Sequence, residues 1–353
     1  MTLTPPLQST DNQRIDYVDL AKGFCITIVA FQHSVDFYQV GFPLTPFIFA
    51  FWMPLFFFLS GLFFKPYDSF ASFVKRKTSK LIIPFFFFYI LTSVLFSNAL
   101  YLAGYEVRNV DSLGLRSLYA FITPELFPNG PIWFLLCLFW VNVYFYVIYL
   151  VAHRLFATER GRVAAIVVLS LVCGGLGYAC DACGVDLWAF TDTALTVTPF
   201  YCAGFVLRKF TPILSPNKSD RWLPLFFVVA VALTFLFEGG IHWQKNAFGD
   251  QNPVVVLLGG VTGTLAVMFL SKMIGRLPFV SHWGRYSIII LCLHIMEIQL
   301  LVRVFDKLGV AAAIGPWPSI LLVLAVTMFS FEIIIPLCIR FIPWFTAQKD
   351  LIR

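Results

Sequence analysis

Charged residues are scarce in this sequence. Asp, Glu, Lys and Arg make up only 12% of the chain, whereas 59% of the residues are hydrophobic and the mean hydropathy is +0.83. A typical soluble domain has about 25% charged residues. So few charges cannot provide the polar surface that a water-soluble fold of this length needs, which excludes an ordinary soluble protein. The sequence therefore predicts an integral membrane protein.

The apolar residues occur in long runs of the length that a membrane requires. A helix needs about 20 mostly apolar residues to cross the hydrocarbon core. The runs are continuous and do not alternate with polar residues, which favours helices over a β-barrel. We expect an all-α integral membrane protein of about ten transmembrane helices. The predicted spans are 18–39, 44–64, 81–103, 131–151, 163–180, 187–207, 222–238, 253–273, 286–304 and 318–340.

Several other features are missing. No connection is long enough for a soluble domain, so residues 1–353 are expected to form one transmembrane domain with a cytoplasmic tail at 1–15 and an outer loop at about 104–130. The N-terminus has no basic region and no cleavage site, so the first span is expected to stay uncleaved. The eight cysteines form no paired framework. Only Cys180 and Cys183 are close, and two unpaired cysteines are favoured over a disulfide.

The basic residues predict the orientation. If the N-terminus is cytoplasmic, all but five of the 25 Lys and Arg residues lie on the cytoplasmic side. Basic residues concentrate on that side, so both termini are predicted to be cytoplasmic. This topology and anionic lipid explain the net charge of +6, so no nucleic-acid partner is expected. The five outer residues are Arg108, Arg116, Lys245, Arg303 and Lys307.

The first span carries ionisable residues that membrane helices usually lack. His33 lies 11 residues after Lys22, about 16 Å along a helix axis, and Asp36 follows one turn later. Ionisable groups inside spans are costly and are usually functional. A neutral imidazole can accept a proton, and a nearby carboxylate can orient it. The alternative is a histidine that only packs against a neighbouring helix.

The ninth span repeats this pattern. His294 lies nine residues after Arg285, and Glu297 follows at i+3. Two helices with a His–acid pair at similar depth favour a shared proton-transfer site. Glu332 in the last span is a weaker candidate, which could balance a basic residue or form a structural pair.

The inner connection is basic. Its sequence "KPYDSFASFVKRKTSKLIIP" predicts an amphipathic interfacial helix at about 66–80. Lys80 lies four residues after Arg76 and three after Lys77, so the three side chains fall towards one side. Such a cluster either anchors lipid headgroups or binds another anion.

These segments resemble a known family. The segments on which the resemblance rests are "RIDYVDLAKGFCITIVAFQH", "FWMPLFFFLSGLFFK", "FVKRKTSKLIIPFFFFY", "GPIWFLL", "PFYCAGFVLRK" and "WGRYSIIILCLH". Together they resemble the bacterial membrane-bound acyltransferase family three, in particular its short members similar to fucose 4-O-acetylases. The resemblance covers nearly the whole chain.

The resemblance implies a function and roles for particular residues. A basic residue, ten intervening residues and a histidine are matched by Lys22 and His33, which implies that His33 is the essential catalytic residue. Lys77 and Lys80 stand where the family has two arginines, and Arg76 could supply the missing guanidinium. The family implies an acetyl-CoA or other acyl-CoA donor on the cytoplasmic side of the bacterial inner membrane and an envelope carbohydrate as acceptor.

The resulting hypothesis is a membrane-bound O-acyltransferase. Lys22, Arg76, Lys77 and Lys80 would bind the CoA phosphates, and no metal is expected. His33, oriented by Asp36, would act as general base or carry the acyl group, with His294 and Glu297 assisting. Trp133 and Phe134 could stack against a sugar or serve as interfacial anchors. The alternative is a proton-coupled secondary transporter, although the sequence has no internal repeat and no matching pair of broken helices.

Overall fold

The computed structural model describes residues 15–102, 104 and 129–351. Within these residues the structure is helical, and the only β pairing is an isolated bridge between His242 and Ala247. The predicted all-α class is therefore confirmed. The tail before residue 15 and most of the predicted outer loop at 104–130 lie outside the described residues.

Ten long helices and two short ones form the bundle, counted over the residues described. Each long helix coincides with one of the predicted spans. In chain order they are α1 Asp16–Tyr38, α2 Thr45–Leu62, α3 Phe70–Leu102, α4 Trp133–Leu155, α5 Glu159–Ala182, α6 Thr191–Phe210, α7 Leu223–Leu236, α8 Pro253–Ile274, α9 Pro278–Arg285, α10 Ser287–Lys307, α11 Val310–Ile314 and α12 Pro316–Phe341.

Eight helical segments in the described part of the chain are long and apolar enough to cross a membrane. They contain α2, α3, α4, α5, α7, α8, α10 and α12. The other two long helices, α1 and α6, have 23 and 20 residues but contain no stretch that is equally apolar. The chain is thus a multi-pass membrane protein, while the full count of ten spans and the position of the termini remain predictions.

Helix α1 lies at the centre of the site region. It packs against α2, α8, α9, α10 and α12. Its crossing with α9 is close because glycines face the neighbouring main chain on both sides: a Cβ added to Gly23 would overlap the Val280 carbonyl, and one added to Gly284 would overlap the Asp19 carbonyl. This crossing fixes the end of α1 that carries Lys22.

Helix α3 joins the basic inner segment to the third span without a break. It begins at Phe70, where the Ser69 hydroxyl accepts a hydrogen bond of 3.1 Å from the Ser72 amide. The helix then includes two π-helical stretches, Thr78–Ile82 and Tyr89–Phe96. Such stretches often occur at functional sites. The basic residues are therefore rigidly connected to the part of α3 that lies inside the bundle.

Aromatic residues fill much of the core. Phe73 at the basic end of α3 stacks on Tyr146 of α4 with ring centroids 4.1 Å apart, and both side chains are buried. This contact holds the basic end of α3 against the bundle. All eight cysteines are free, so Cys180 and Cys183 form no disulfide.

Candidate active site

Three aromatic rings from three helices meet inside the bundle. The ring of His33 on α1 lies 5.4 Å from that of His294 on α10 and 6.1 Å from that of Trp52 on α2, measured between centroids. We call His33, His294 and Trp52 the ring cluster. The structure thus brings together the two histidines that the sequence places about 260 residues apart.

Asp36 lies beside His33 at the more exposed side of the cluster. Its carboxylate oxygen Oδ2 is 3.7 Å from His33 Nδ1, and the two side chains are 55% and 24% exposed. Gln32 on the preceding turn donates a hydrogen bond of 3.0 Å to the other oxygen, Oδ1. At 3.7 Å the His33–Asp36 pair is an electrostatic contact longer than a hydrogen bond. Asp36 can therefore stabilise a protonated His33, but it holds the ring only weakly.

His294 is completely buried, and its own helix orients it. Its Nδ1 lies 2.8 Å from the Ile290 carbonyl and 3.1 Å from the Leu291 carbonyl. Carbonyl oxygens only accept hydrogen bonds, so Nδ1 carries the hydrogen. The other nitrogen, Nε2, is buried and has no hydrogen-bond partner among the described residues. In the neutral ring Nε2 is an acceptor, ready for a hydroxyl or another donor.

Glu297 is not the partner of His294 that the sequence pattern suggested. The His294 ring nitrogen Nδ1 is directed to the main chain of α10, and its Nε2 has no partner in the described structure, so neither ring nitrogen bonds to Glu297. One oxygen of Glu297, Oε2, is also buried without a partner in that part of the chain. The two His–acid pairs predicted from sequence therefore differ in geometry.

A cavity of about 160 Å³ lies between α1, α2, α3, α4 and α10. Lys22 on α1 and Ser60 on α2 lie at the end that is predicted to be cytoplasmic, and Leu81 on α3 joins them. The cavity walls are formed by Lys22, Phe56, Ser60, Leu81, Phe134, Leu135, Leu138, Ser287, Ile288 and Leu291.

Helical periodicity connects this cavity to the three rings. Eleven residues at about 100° each amount to almost three whole turns, so His33 lies on the same face of α1 as Lys22. Trp52 lies four residues before the wall residue Phe56, and His294 lies three residues after the wall residue Leu291, so each is on the cavity side of its helix. On α2 and α10 the ring cluster therefore lies one helical turn beyond the residues that form the cavity wall.

The basic residues of α3 differ in what they contact. Arg76 is exposed, and Lys77 is partly buried with its Nζ 5.7 Å from the centre of the Phe73 ring. Lys80 donates a hydrogen bond of 2.7 Å to the Ala347 carbonyl and forms an ion pair of 3.0 Å with Asp350. Lys80 is thus engaged by the C-terminal segment, whereas no ion pair is formed by Arg76 or Lys77 within the described residues.

Trp133 and Phe134 are buried at the start of α4. Each side chain is only 6% exposed. Trp133 packs against Phe190, with ring centroids 5.7 Å apart, and Phe134 packs against Phe57 and forms part of the cavity wall. Of the two residues predicted to bind the acceptor, Phe134 is the one that faces the cavity.

Sequence reasoning missed three features near this site. Trp52 was overlooked, although a tryptophan eight residues inside an apolar run departs from the usual interfacial position. Glu332 pairs with His282 of α9 at 3.1 Å, a partner that the sequence did not identify. Asn129 is completely buried and donates hydrogen bonds of 2.8 Å to Thr92 of α3 and to the Cys292 carbonyl of α10.

The fold and the ring cluster define a multi-pass helical membrane protein with two neighbouring imidazoles, of which His294 is buried and His33 is partly exposed. Comparison with known families identifies it further. The profile of the acyltransferase domain of acyltransferase family 3 matches residues 15–335, and the chain belongs to this family. No curated protein and no solved structure matches the chain in the corresponding comparisons.

Proposed function

We propose that this protein transfers an acetyl or other short acyl group from acyl-CoA to a hydroxyl of an envelope polysaccharide or its lipid-linked sugar precursor. It would act in the inner membrane of a bacterium, with the donor on the cytoplasmic side. The observation that carries the proposal is the cavity between Lys22 and Leu291, whose wall includes Leu81 of α3 and whose wall residues Phe56 and Leu291 lie one helical turn from Trp52 and His294. Membership of an acyltransferase family supports group transfer.

The donor's phosphates would bind at the basic end of α3. CoA carries a pyrophosphate and a 3′-phosphate, and a guanidinium can bind a phosphate through two parallel hydrogen bonds. Arg76 and Lys77 are the principal ligands in this proposal, because Lys80 is already paired with Asp350. Lys22 on the cavity wall would meet the phosphate end of the pantetheine arm, which continues between the helices towards His33.

His33 would be the general base. Its side chain is 24% exposed, so a substrate can reach it, whereas His294 is completely buried. His33 takes the proton of the acceptor hydroxyl while the hydroxyl oxygen attacks the thioester carbonyl carbon. The carbon–sulfur bond then breaks, and the CoA sulfur receives the proton that His33 holds. In the second route, a nitrogen of His33 attacks the carbonyl carbon, the carbon–sulfur bond breaks and the CoA thiolate leaves. The acceptor oxygen then attacks the acyl carbon, the bond to His33 breaks, and the hydroxyl proton is left for the thiolate.

The acceptor would bind on the far side of the ring cluster. His294 Nε2 is a buried acceptor that suits a hydroxyl, and Glu297 Oε2 is a second one on α10. Phe134, on the cavity wall, would offer an apolar face where the sugar ring approaches the acyl group. In a proton-coupled transporter, the alternative function, these residues would relay protons and no thioester would break.

The test is release of CoA from acetyl-CoA by the purified protein in detergent, with water as the acceptor. The wild-type protein is expected to release CoA slowly, and His33→Ala to lower the rate at least about 100-fold, since a general base contributes about 10² to 10⁴. His153→Ala is the matched control, because His153 bonds to its own helix at Tyr149, away from the cavity. Wild-type protein without release would contradict the proposal, as would a His33→Ala variant with full activity.

A further inference from the structure

Trp52 carries an unused hydrogen-bond donor next to His33. The indole Nε1–H is buried and has no acceptor among the described residues. Leaving a buried donor unpaired is destabilising. Such a group in the ring cluster calls for a functional explanation, since Trp52 shares one face of α2 with the cavity residues Phe56 and Ser60.

The Trp52 ring is held firmly in this position. It stacks on Phe49 with ring centroids 4.6 Å apart and an angle of 5° between the planes. The thiol of Cys25 on α1 donates a hydrogen bond of 2.8 Å to the Trp52 carbonyl, which ties this turn of α2 to α1. The donor is therefore pre-positioned by packing, as an electrostatic contribution to catalysis requires.

The proposed acyl transfer needs a donor at this place. When the acceptor oxygen attacks the thioester, the carbonyl π electrons move to the carbonyl oxygen, which becomes negatively charged. Neutral His294 cannot serve that oxygen, because its hydrogen is on Nδ1 and its free nitrogen is an acceptor. Asp36 and Glu297 would repel it if ionised. The Trp52 ring, which carries the unpaired N–H, has its centroid 6.1 Å from that of His33, to which the attacked carbonyl must come close.

We infer that Trp52 is a catalytic residue whose Nε1–H binds the thioester carbonyl oxygen and stabilises the oxyanion of the tetrahedral intermediate. The inference rests on the proposed acyl transfer. When the intermediate collapses, the electron pair returns from the oxygen to the carbonyl, the carbon–sulfur bond breaks, and the sulfur takes the proton from His33. Trp52 itself neither gains nor loses a proton.

The chain offers a matched control for this role. Trp283 on α9 is also buried, at 6% exposed, and its indole nitrogen also has no partner within the described residues. Its ring packs against Phe279 and Phe329, outside the ring cluster. Replacing Trp283 by Phe therefore removes the same chemical group from a similar environment without touching the proposed site.

The experiment compares Trp52→Phe and Trp283→Phe in the CoA-release assay with acetyl-CoA. Trp52→Phe is expected to lower kcat about 10²- to 10³-fold, as removal of one oxyanion donor does, with the KM for acetyl-CoA changed less than about threefold. Trp283→Phe is expected to stay within about twofold of wild type. Equal losses in both variants, or a change confined to KM, would overturn the inference.

A second substitution separates the N–H from packing. Benzothienylalanine at position 52, introduced by nonsense suppression, keeps the ring shape and replaces N–H by sulfur. The loss of kcat should persist in this variant, and wild-type kcat would overturn the inference. If His33→Ala is inactive while both position-52 variants are fully active, the inference about Trp52 fails and acyl transfer stands. If the wild-type protein releases no CoA, both fail.

Discussion

At the scale of single residues, the two imidazoles have different geometries and therefore different roles. His33 is partly exposed and has a carboxylate at 3.7 Å, whereas His294 is buried and oriented by two carbonyls of its own helix. A proton carrier must reach substrate and change its charge, which suits His33. In His294 the acceptor Nε2 has a fixed position, so this residue can orient a bound hydroxyl by accepting its hydrogen bond.

The substitution Asp36→Asn measures how much the pair of His33 and Asp36 contributes to catalysis. Because Asp36 is 55% exposed and its contact with His33 is 3.7 Å long, solvent screens much of the attraction. We expect kcat for CoA release to fall by no more than about tenfold, well below the loss in His33→Ala. A loss as large as that of His33→Ala would contradict this view and would give Asp36 an indispensable role.

At the scale of elements, the basic end of α3 is expected to bind the donor through residues that are not engaged elsewhere. Arg76→Gln and Lys77→Gln should each raise the KM for acetyl-CoA about 10-fold with little change in kcat, because they remove binding made equally in the ground and transition states. Lys80→Gln is the comparison. Its KM effect should be smaller, because its ammonium group already pairs with Asp350.

Thermal unfolding of the same three variants completes that test. Lys80→Gln should unfold at a lower temperature than the Arg76 and Lys77 variants, since it loses bonds to Ala347 and Asp350 on the C-terminal segment. A larger KM effect at Lys80 than at Arg76 and Lys77 would mean that the donor displaces Asp350, which would contradict the proposed assignment of the phosphates to Arg76 and Lys77.

The crossing of α1 with α9 is the second element on which the site depends. Gly284→Ala places a methyl group against the Asp19 carbonyl and should push α9 away from α1, at a cost of about 1–3 kcal/mol. A lower unfolding temperature and reduced CoA release are expected. Gly175→Ala is the control, because a Cβ at Gly175 on α5 meets no atom within 4 Å. An equally small effect of both substitutions would show that the crossing tolerates extra volume.

At the scale of the whole molecule, the fold could be predicted from sequence because bilayer thickness sets the length of every span. The ten long helices lie at the predicted positions, and His33 and His294 face each other as their similar depth suggested. The hydrogen-bond partner of His294 could not be predicted. The sequence pattern suggested Glu297, but the Nδ1–H of His294 bonds to the main-chain carbonyls of Ile290 and Leu291.

Long-range pairings were also hidden from sequence reasoning. Asp350 reaches Lys80 across 270 positions, and nothing local marks either residue as paired. Trp52 was missed for a different reason, since only the packing of α1, α2 and α10 brings its ring to His33. Periodicity predicts which face a residue occupies, but the rotation of each helix against its neighbours decides which faces meet.

The central claim is that a CoA-borne thioester reaches His33 through the cavity that begins beside Lys22 and Leu81. The most direct test is an experimental structure of the protein with a non-hydrolysable acetyl-CoA analogue. We predict the phosphates at Arg76 and Lys77, the pantetheine arm between Lys22 and Leu291, and the acyl carbonyl beside His33. An analogue bound outside this cavity, or with its acyl group remote from His33, would contradict the claim.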